Sequence, residues 1–387
     1  MGFSEQFDAI TIEQLRRAGG LKWTAFPDRI GSFVAEMDFG TAPAVTRALE
    51  SAVGRGLFGY LPRWLLDTMT AACAGWQRDA YGWDVPAERI RPLADVLAGF
   101  TAAVEHFSAP GSKIILPTPA YMPFLKVPAT LSREIIELPM LPSAEGWAFD
   151  YDGLDRAFAA GGGLLVMCNP HNPIGKVYTA DEMVRISAVV EQHGGRVFAD
   201  EIHAPLVYPG ARHVPYASVS PATAGHTVTA TSASKAWNLP GLKTAQLILS
   251  NDADARHWAE VGTFAEHGAS TLGVAANAAA FADGGPWLQE VINYLDGNRG
   301  YLAEALSEVP GIGYTAPSGT YLAWLDCRAL DLEQPPAEFF AERAGVTLTD
   351  GAECGQAGRG FVRLNFGTPR PVLAQTLDRM LEALTAR

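Results

Sequence analysis

The sequence predicts an α/β fold: a large domain with a mostly parallel sheet, then a smaller α+β domain. Three observations carry this. Short apolar runs alternate with helix-length segments, polar motifs stand where those runs end, and the pattern changes after about residue 285. Such alternation implies βαβ units and a parallel sheet covered on both faces. Crossovers of that kind place the C-terminal strand ends along one edge, where ligands bind.

The apolar runs are residues 113–116, 164–168, 196–200, 227–231 and 244–250. Ala94-Asp-Val-Leu-Ala-Gly99 opens a helix that ends near residue 107, with Asp95 as its N-cap. Gly161-Gly-Gly163 reads as a loop leading into a buried strand. Residues 180–192 carry apolar side chains at helical spacing. Beyond residue 285 a long helix spans 287–307. A strand at 321–325, a helix near 336–344, a strand at 361–366 and a helix from 371 complete the chain.

Bulk properties narrow the function. A chain of 387 residues is long enough for two domains and a sizeable core. The net charge of −13 argues against nonspecific nucleic-acid binding, which needs basic surface. No apolar run approaches the roughly 18 residues of a membrane helix. Residues 1–10 carry neither a basic nor an apolar signal region, so a cytoplasmic protein is expected. Cys73, Cys168, Cys327 and Cys354 stand apart with no CxxC pair, and read as reduced thiols. The histidines show no metal spacing, so no metal site is expected.

Four segments carry chemistry, in this order: Asn169-Pro-His-Asn-Pro-Ile-Gly175, Phe198-Ala-Asp-Glu-Ile-His203, Thr231-Ser-Ala-Ser-Lys-Ala-Trp-Asn-Leu-Pro-Gly-Leu-Lys243, and Val362-Arg-Leu-Asn-Phe-Gly367. In sequence and order they resemble fold-type I pyridoxal 5'-phosphate (PLP) enzymes of the class I/II aminotransferase superfamily. Leu21-Lys-Trp-Thr24, Ala35-Glu-Met-Asp-Phe39, Phe58-Gly-Tyr60 and the Glu201-Ile-His203 variant are similar to its cystathionine β-lyase-like carbon–sulfur lyases. The resemblance covers nearly the whole chain. It implies a seven-stranded-type sheet in a large PLP domain at 46–285. A small domain would occupy 286–387, with segment 1–45 packed against it.

The resemblance also implies roles. Lys235 would bind the cofactor covalently and then act as base at the substrate Cα. Asp200 would keep the pyridine nitrogen protonated by charge attraction. Asn172 and His203 would stand at the phenolate oxygen, where aspartate aminotransferases usually have tyrosine in place of His203. Val96 and Leu97 backbone N–H groups, the Ser232 hydroxyl and the Lys243 ammonium would cradle the phosphate. Tyr121 would stack on the ring, and Tyr60 would reach the phosphate in the partner subunit of a homodimer. Arg363 would fork onto the α-carboxylate of an amino-acid substrate, beside Asn172 and Tyr121. Competing roles are a buried salt bridge for Arg363 and local core packing for Tyr121 and Tyr60.

The implied reaction is β-elimination on a cysteine S-conjugate such as cystathionine, giving a thiol, pyruvate and ammonia. An aminotransferase would use the same Lys235 to return a proton to the cofactor. A regulatory PLP-binding protein acting through a protein partner is the third reading.

Overall fold

A computed structural model describes residues 2–143 and 146–386. Its core is a seven-stranded sheet. The strands are β1 (Ile90–Leu93), β2 (Lys113–Thr118), β3 (Ile135–Pro139), β4 (Gly162–Cys168), β5 (Arg196–Asp200), β6 (Thr227–Thr231) and β7 (Ala245–Leu249). Their spatial order is β1-β7-β6-β5-β4-β2-β3. Only β7 runs antiparallel to its neighbours. Every residue of β6 and β7 is buried, as expected for central strands covered on both faces.

The crossover helices follow from their sequences. Helix α1 (Val96–His106) is N-capped by Asp95, whose carboxylate accepts the Ala98 N–H at 2.9 Å. Gly99 lets it lie close on the sheet. A Cβ there would stand 3.2 Å from the Ala230 Cβ and 3.3 Å from a Leu93 methyl. Helix α2 (Ala180–Gln192) opens with a capping box: the Thr179 hydroxyl accepts the Glu182 N–H and the Glu182 carboxylate accepts the Thr179 N–H. It buries Met183, Ile186, Ser187 and Val190, a stripe at helical spacing.

A second sheet holds β8 (Gly313–Tyr314), β9 (Leu322–Asp326), β10 (Thr349–Asp350) and β11 (Phe361–Asn365), antiparallel in the order β8-β9-β11-β10. Helices α3 (Gly285–Leu306) and α4 (Arg370–Thr385) accompany it. The N-terminal segment belongs to the same body of packing. Ile30 and Gly31 pair in parallel with Val346 and Thr347, and the Tyr294 hydroxyl of α3 donates to Asp8.

Two edge strands, β1 and β3, are additions to the sequence-based reading. Each contains a proline, and Arg91 in one and Glu137 in the other break the apolar run. The run at 227–231 forms β6 as expected, and His226 just before it ends a helix, Pro221–His226, capped by Ser220.

Candidate active site

The C-terminal ends of β4, β5 and β6 lie side by side, with Cys168 in register with Asp200 and Asp200 with Ala230. Asp200 is buried. One carboxylate oxygen accepts the Ile202 N–H at 3.1 Å, and the other lies 3.7 Å from the Cys168 thiol. Among the described residues no ammonium or guanidinium contacts it. Burial pushes its pKa up to about 6, against the smaller opposing effects of Ile202, Cys168 and Lys235. It is an acid in want of a cationic partner.

Lys235 follows β6. Its Nζ donates to the Ala35 carbonyl at 2.9 Å. Burial and then the nearby Arg363 charge lower its pKa to about 8, while Glu36 and Asp200 oppose them. Relative to an ordinary lysine this enlarges the neutral-amine fraction at pH 7 on the order of 10²-fold. His203 is buried in the same place, with its Nδ1 lacking any hydrogen-bond partner. Burial, then Lys235 and Arg363, hold its pKa well below the ordinary value, so it is neutral.

Arg363 comes from β11 and is also buried. Its Nη1 donates to Asn172 Oδ1 at 3.0 Å. Its Nη2 donates to the Phe33 carbonyl at 2.8 Å and the Thr349 hydroxyl at 3.2 Å, and Nε has no partner. None of these acceptors is charged. A structural salt bridge therefore does not account for this arginine. Tyr121 is half-buried, with its ring edge-on to Phe124 at 5.5 Å. Burial and the Asp200 charge raise its pKa.

The expected phosphate cradle is placed less uniformly. Val96 and Leu97 are the first residues of α1, and the Asp95 cap takes the Ala98 N–H only. Their own N–H groups therefore have no helical acceptor. Lys243 is exposed and pairs with Asp95 at 2.9 Å. The Ser232 hydroxyl points elsewhere than expected: it donates to the Thr244 carbonyl at 2.7 Å and accepts the Ser234 N–H at 3.0 Å. Tyr60 stands apart from the others and is fully exposed, which excludes local core packing.

The structure adds a layer to the site. Residues 33–38 run across it as a strap whose carbonyls accept from side chains. Asn365 Nδ2 donates to the carbonyls of Val34 and Glu36, and Tyr321 joins Lys235 on the Ala35 carbonyl. Asn238, three residues after Lys235, holds Met37 through both its N–H and its carbonyl. Asp38 is fixed by a buried ion pair to Lys22 at 2.7 Å and by the Trp23 indole N–H at 2.8 Å. The available signal was polar Asn365 inside the apolar run at 361–366, since a buried amide needs partners.

Known proteins fit this geometry. The family model for aminotransferase class I and II matches residues 34–382. The chain belongs to that family, in its cystathionine β-lyase branch. It is 38% identical to a cystathionine β-lyase of Corynebacterium glutamicum, over 96% of this chain and 99% of the relative. Identity is 32% to the cystathionine β-lyase PatB of Bacillus subtilis, covering 92% and 93%. Among solved structures, a PLP-bound C-S lyase from Staphylococcus hominis superposes with a TM-score of 0.91 at 27% identity, covering 98% of each chain. The class I/II scaffold thus brings Lys235, Asp200, His203, Asn172 and Arg363 to one sheet edge.

Proposed function

We propose that this chain is a PLP-dependent carbon–sulfur lyase that catalyses β-elimination on cysteine S-conjugates such as cystathionine. The observation that carries the substrate reading is Arg363, a buried guanidinium whose acceptors among the described residues are all neutral. An uncompensated buried cation is costly, and an α-carboxylate would compensate it.

The residues present suit the cofactor. A buried carboxylate without a cation, a neutral histidine with an unpartnered nitrogen, and two unaccepted N–H groups at a helix start lie about one strand-end edge. They match a ring nitrogen, a ring oxygen and a phosphate. Lys235 would hold the cofactor covalently, and Asp200 would keep the ring nitrogen protonated. Asn172 and His203 would face the phenolate oxygen. Val96, Leu97 and Lys243 would hold the phosphate, with the Ser232 hydroxyl joining them by turning from Thr244. When bound, the cofactor supplies the electron sink for the Cα bond pair.

The chain's own groups do the rest. Arg363 fixes the substrate carboxylate beside Asn172 and Tyr121, which orients Cα–H toward Lys235. The Lys235 amine takes the Cα proton. The Cβ–S bond then breaks, and sulfur leaves with its electron pair and receives a proton from Lys235 or Tyr121. Hydrolysis of the remaining three-carbon fragment gives pyruvate and ammonia. The exposed Tyr60 suits a homodimer in which each tyrosine serves the other subunit's site. Among the described residues no helix is long and apolar enough to cross a membrane.

The test is a panel of cysteine S-conjugates, cystathionine included, assayed for pyruvate, ammonia and free thiol. Equal yields of the three are expected. A new amino acid formed from an added 2-oxo acid, without pyruvate from the conjugates, would make the chain an aminotransferase instead.

A further inference from the structure

Lys235 presents a mechanical problem that the strap solves. Once freed from the cofactor, its amine sits on a flexible four-carbon stem with several donors. To take a proton from Cα it must stay beside the substrate. The Ala35 carbonyl accepts the amine at 2.9 Å and, in addition, the buried Tyr321 hydroxyl at 2.9 Å. A carbonyl can hold an amine or an ammonium but cannot take its proton, so it restrains without competing for the chemistry. Three residues farther on, the same strap is clamped at Asp38 by Lys22 and Trp23, all of them buried.

We propose that the Ala35 carbonyl is the docking acceptor for the displaced Lys235 amine, and that Lys22, Asp38 and Trp23 are positioning residues that fix this carbonyl. The proposal rests on the assignment of Lys235 as the cofactor-bearing lysine. It gives the Leu21-Lys-Trp-Thr24 and Ala35-Glu-Met-Asp-Phe39 segments a catalytic reason: one supplies the clamp, the other the strap. The charged groups that reach the amine are Arg363, which disfavours the ammonium, and Glu36 and Asp200, which favour it. Neutral His203 and Tyr321 complete its surroundings. The carbonyl adds a hydrogen bond that favours the charged form.

The experiment uses cofactor-free protein and reads Lys235 itself. Its acylation rate by an anhydride is followed across pH by peptide mass spectrometry. The wild type should titrate below an ordinary lysine, because burial and the Arg363 charge outweigh Glu36, Asp200 and the carbonyl. Lys22→Met with Asp38→Asn replaces the clamp's ion pair, and Trp23→Phe removes a single hydrogen bond. A loosened carbonyl lowers the Lys235 midpoint, by about one pH unit for the double variant and less for Trp23→Phe. In reconstituted enzyme, kcat should fall with KM little changed. A lower melting temperature with an unmoved Lys235 midpoint and unmoved kcat would reduce the clamp to a structural staple and overturn the proposal. Should the double variant fail to fold, Trp23→Phe decides by the same two readouts. Failure of the cofactor assignment would show separately, as wild-type holoenzyme with no borohydride-stable adduct at Lys235.

Discussion

Lys22 and Arg363 are equally buried, each about 2% exposed, and are held in opposite ways. Lys22 has a carboxylate, Asp38, at 2.7 Å. Arg363 has an amide, a hydroxyl, a backbone carbonyl and the Met122 sulfur, and its Nε has no partner among the described residues. Burying a charge is costly unless it is paired. The paired cation therefore needs no ligand, while the unpaired one leaves room for an anion that arrives from outside. The two meet through one strap. Phe33, at one end, accepts from Arg363, and Asp38, at the other, is locked by Lys22.

Arg363→Met should give the largest loss of activity. Removing the partner of a buried, hydrogen-bonded carboxylate costs kcat/KM on the order of 10²- to 10³-fold for an amino-acid substrate. Folding stability should hold or rise, because an uncompensated charge has been removed. Thermal melts beside steady-state kinetics check both; a large stability loss with activity kept would make Arg363 a structural residue.

Lys22→Met should instead cost stability, with any loss of activity carried by kcat rather than KM. It leaves Asp38 buried without its cation, at a cost of about 3–5 kcal/mol measured by denaturant titration. The KM of the folded enzyme should change little. A KM rise matching that of Arg363→Met would erase the distinction between the two cations.

Tyr60 tests whether the site extends beyond one chain. Tyr60→Phe is expected to be inactive, as is Lys235→Ala. Mixed after demonstrated subunit exchange, the two should recover about a quarter of wild-type activity, because each heterodimer rebuilds one intact site. No recovery would place Tyr60 in its own subunit's site or away from the cofactor. Full activity in Tyr60→Phe alone would remove its phosphate role.

The smallest effect is expected at the exposed cation. Lys243 pairs with Asp95 on the surface, so Lys243→Ala should change stability by about 1 kcal/mol or less. Its effect should appear as weaker PLP affinity, read by equilibrium dialysis. Unchanged affinity would remove Lys243 from the phosphate cradle.

The readable parts of this molecule are those whose signal is local. Residues 180–192 form a helix as expected, because the apolar stripe is written within thirteen consecutive residues. The strand at 196–200 is likewise a single buried apolar run. Edge strands were not readable, since Arg91 and Pro92 interrupt one apolar run and Glu137 the other. Motifs single out Lys235, Asp200 and Arg363, which the fold brings near one another, and Asp95 forms the N-cap its chemistry implies. The strap could not. The contact of Arg363 with Phe33 spans 330 residues, and nothing in either segment names the other. The Ser232 hydroxyl was similarly hidden, because its partner, the Thr244 carbonyl, is a backbone atom that any residue could supply.

The chemistry of the site depends first on which lysine carries the cofactor. Purified protein loaded with PLP should be reduced with borohydride, digested and mapped by mass spectrometry. The predicted result is a single stable pyridoxyl adduct on Lys235, absent from Lys235→Ala. An adduct on Lys243 or Lys176 instead, or none on Lys235, would contradict the site described above.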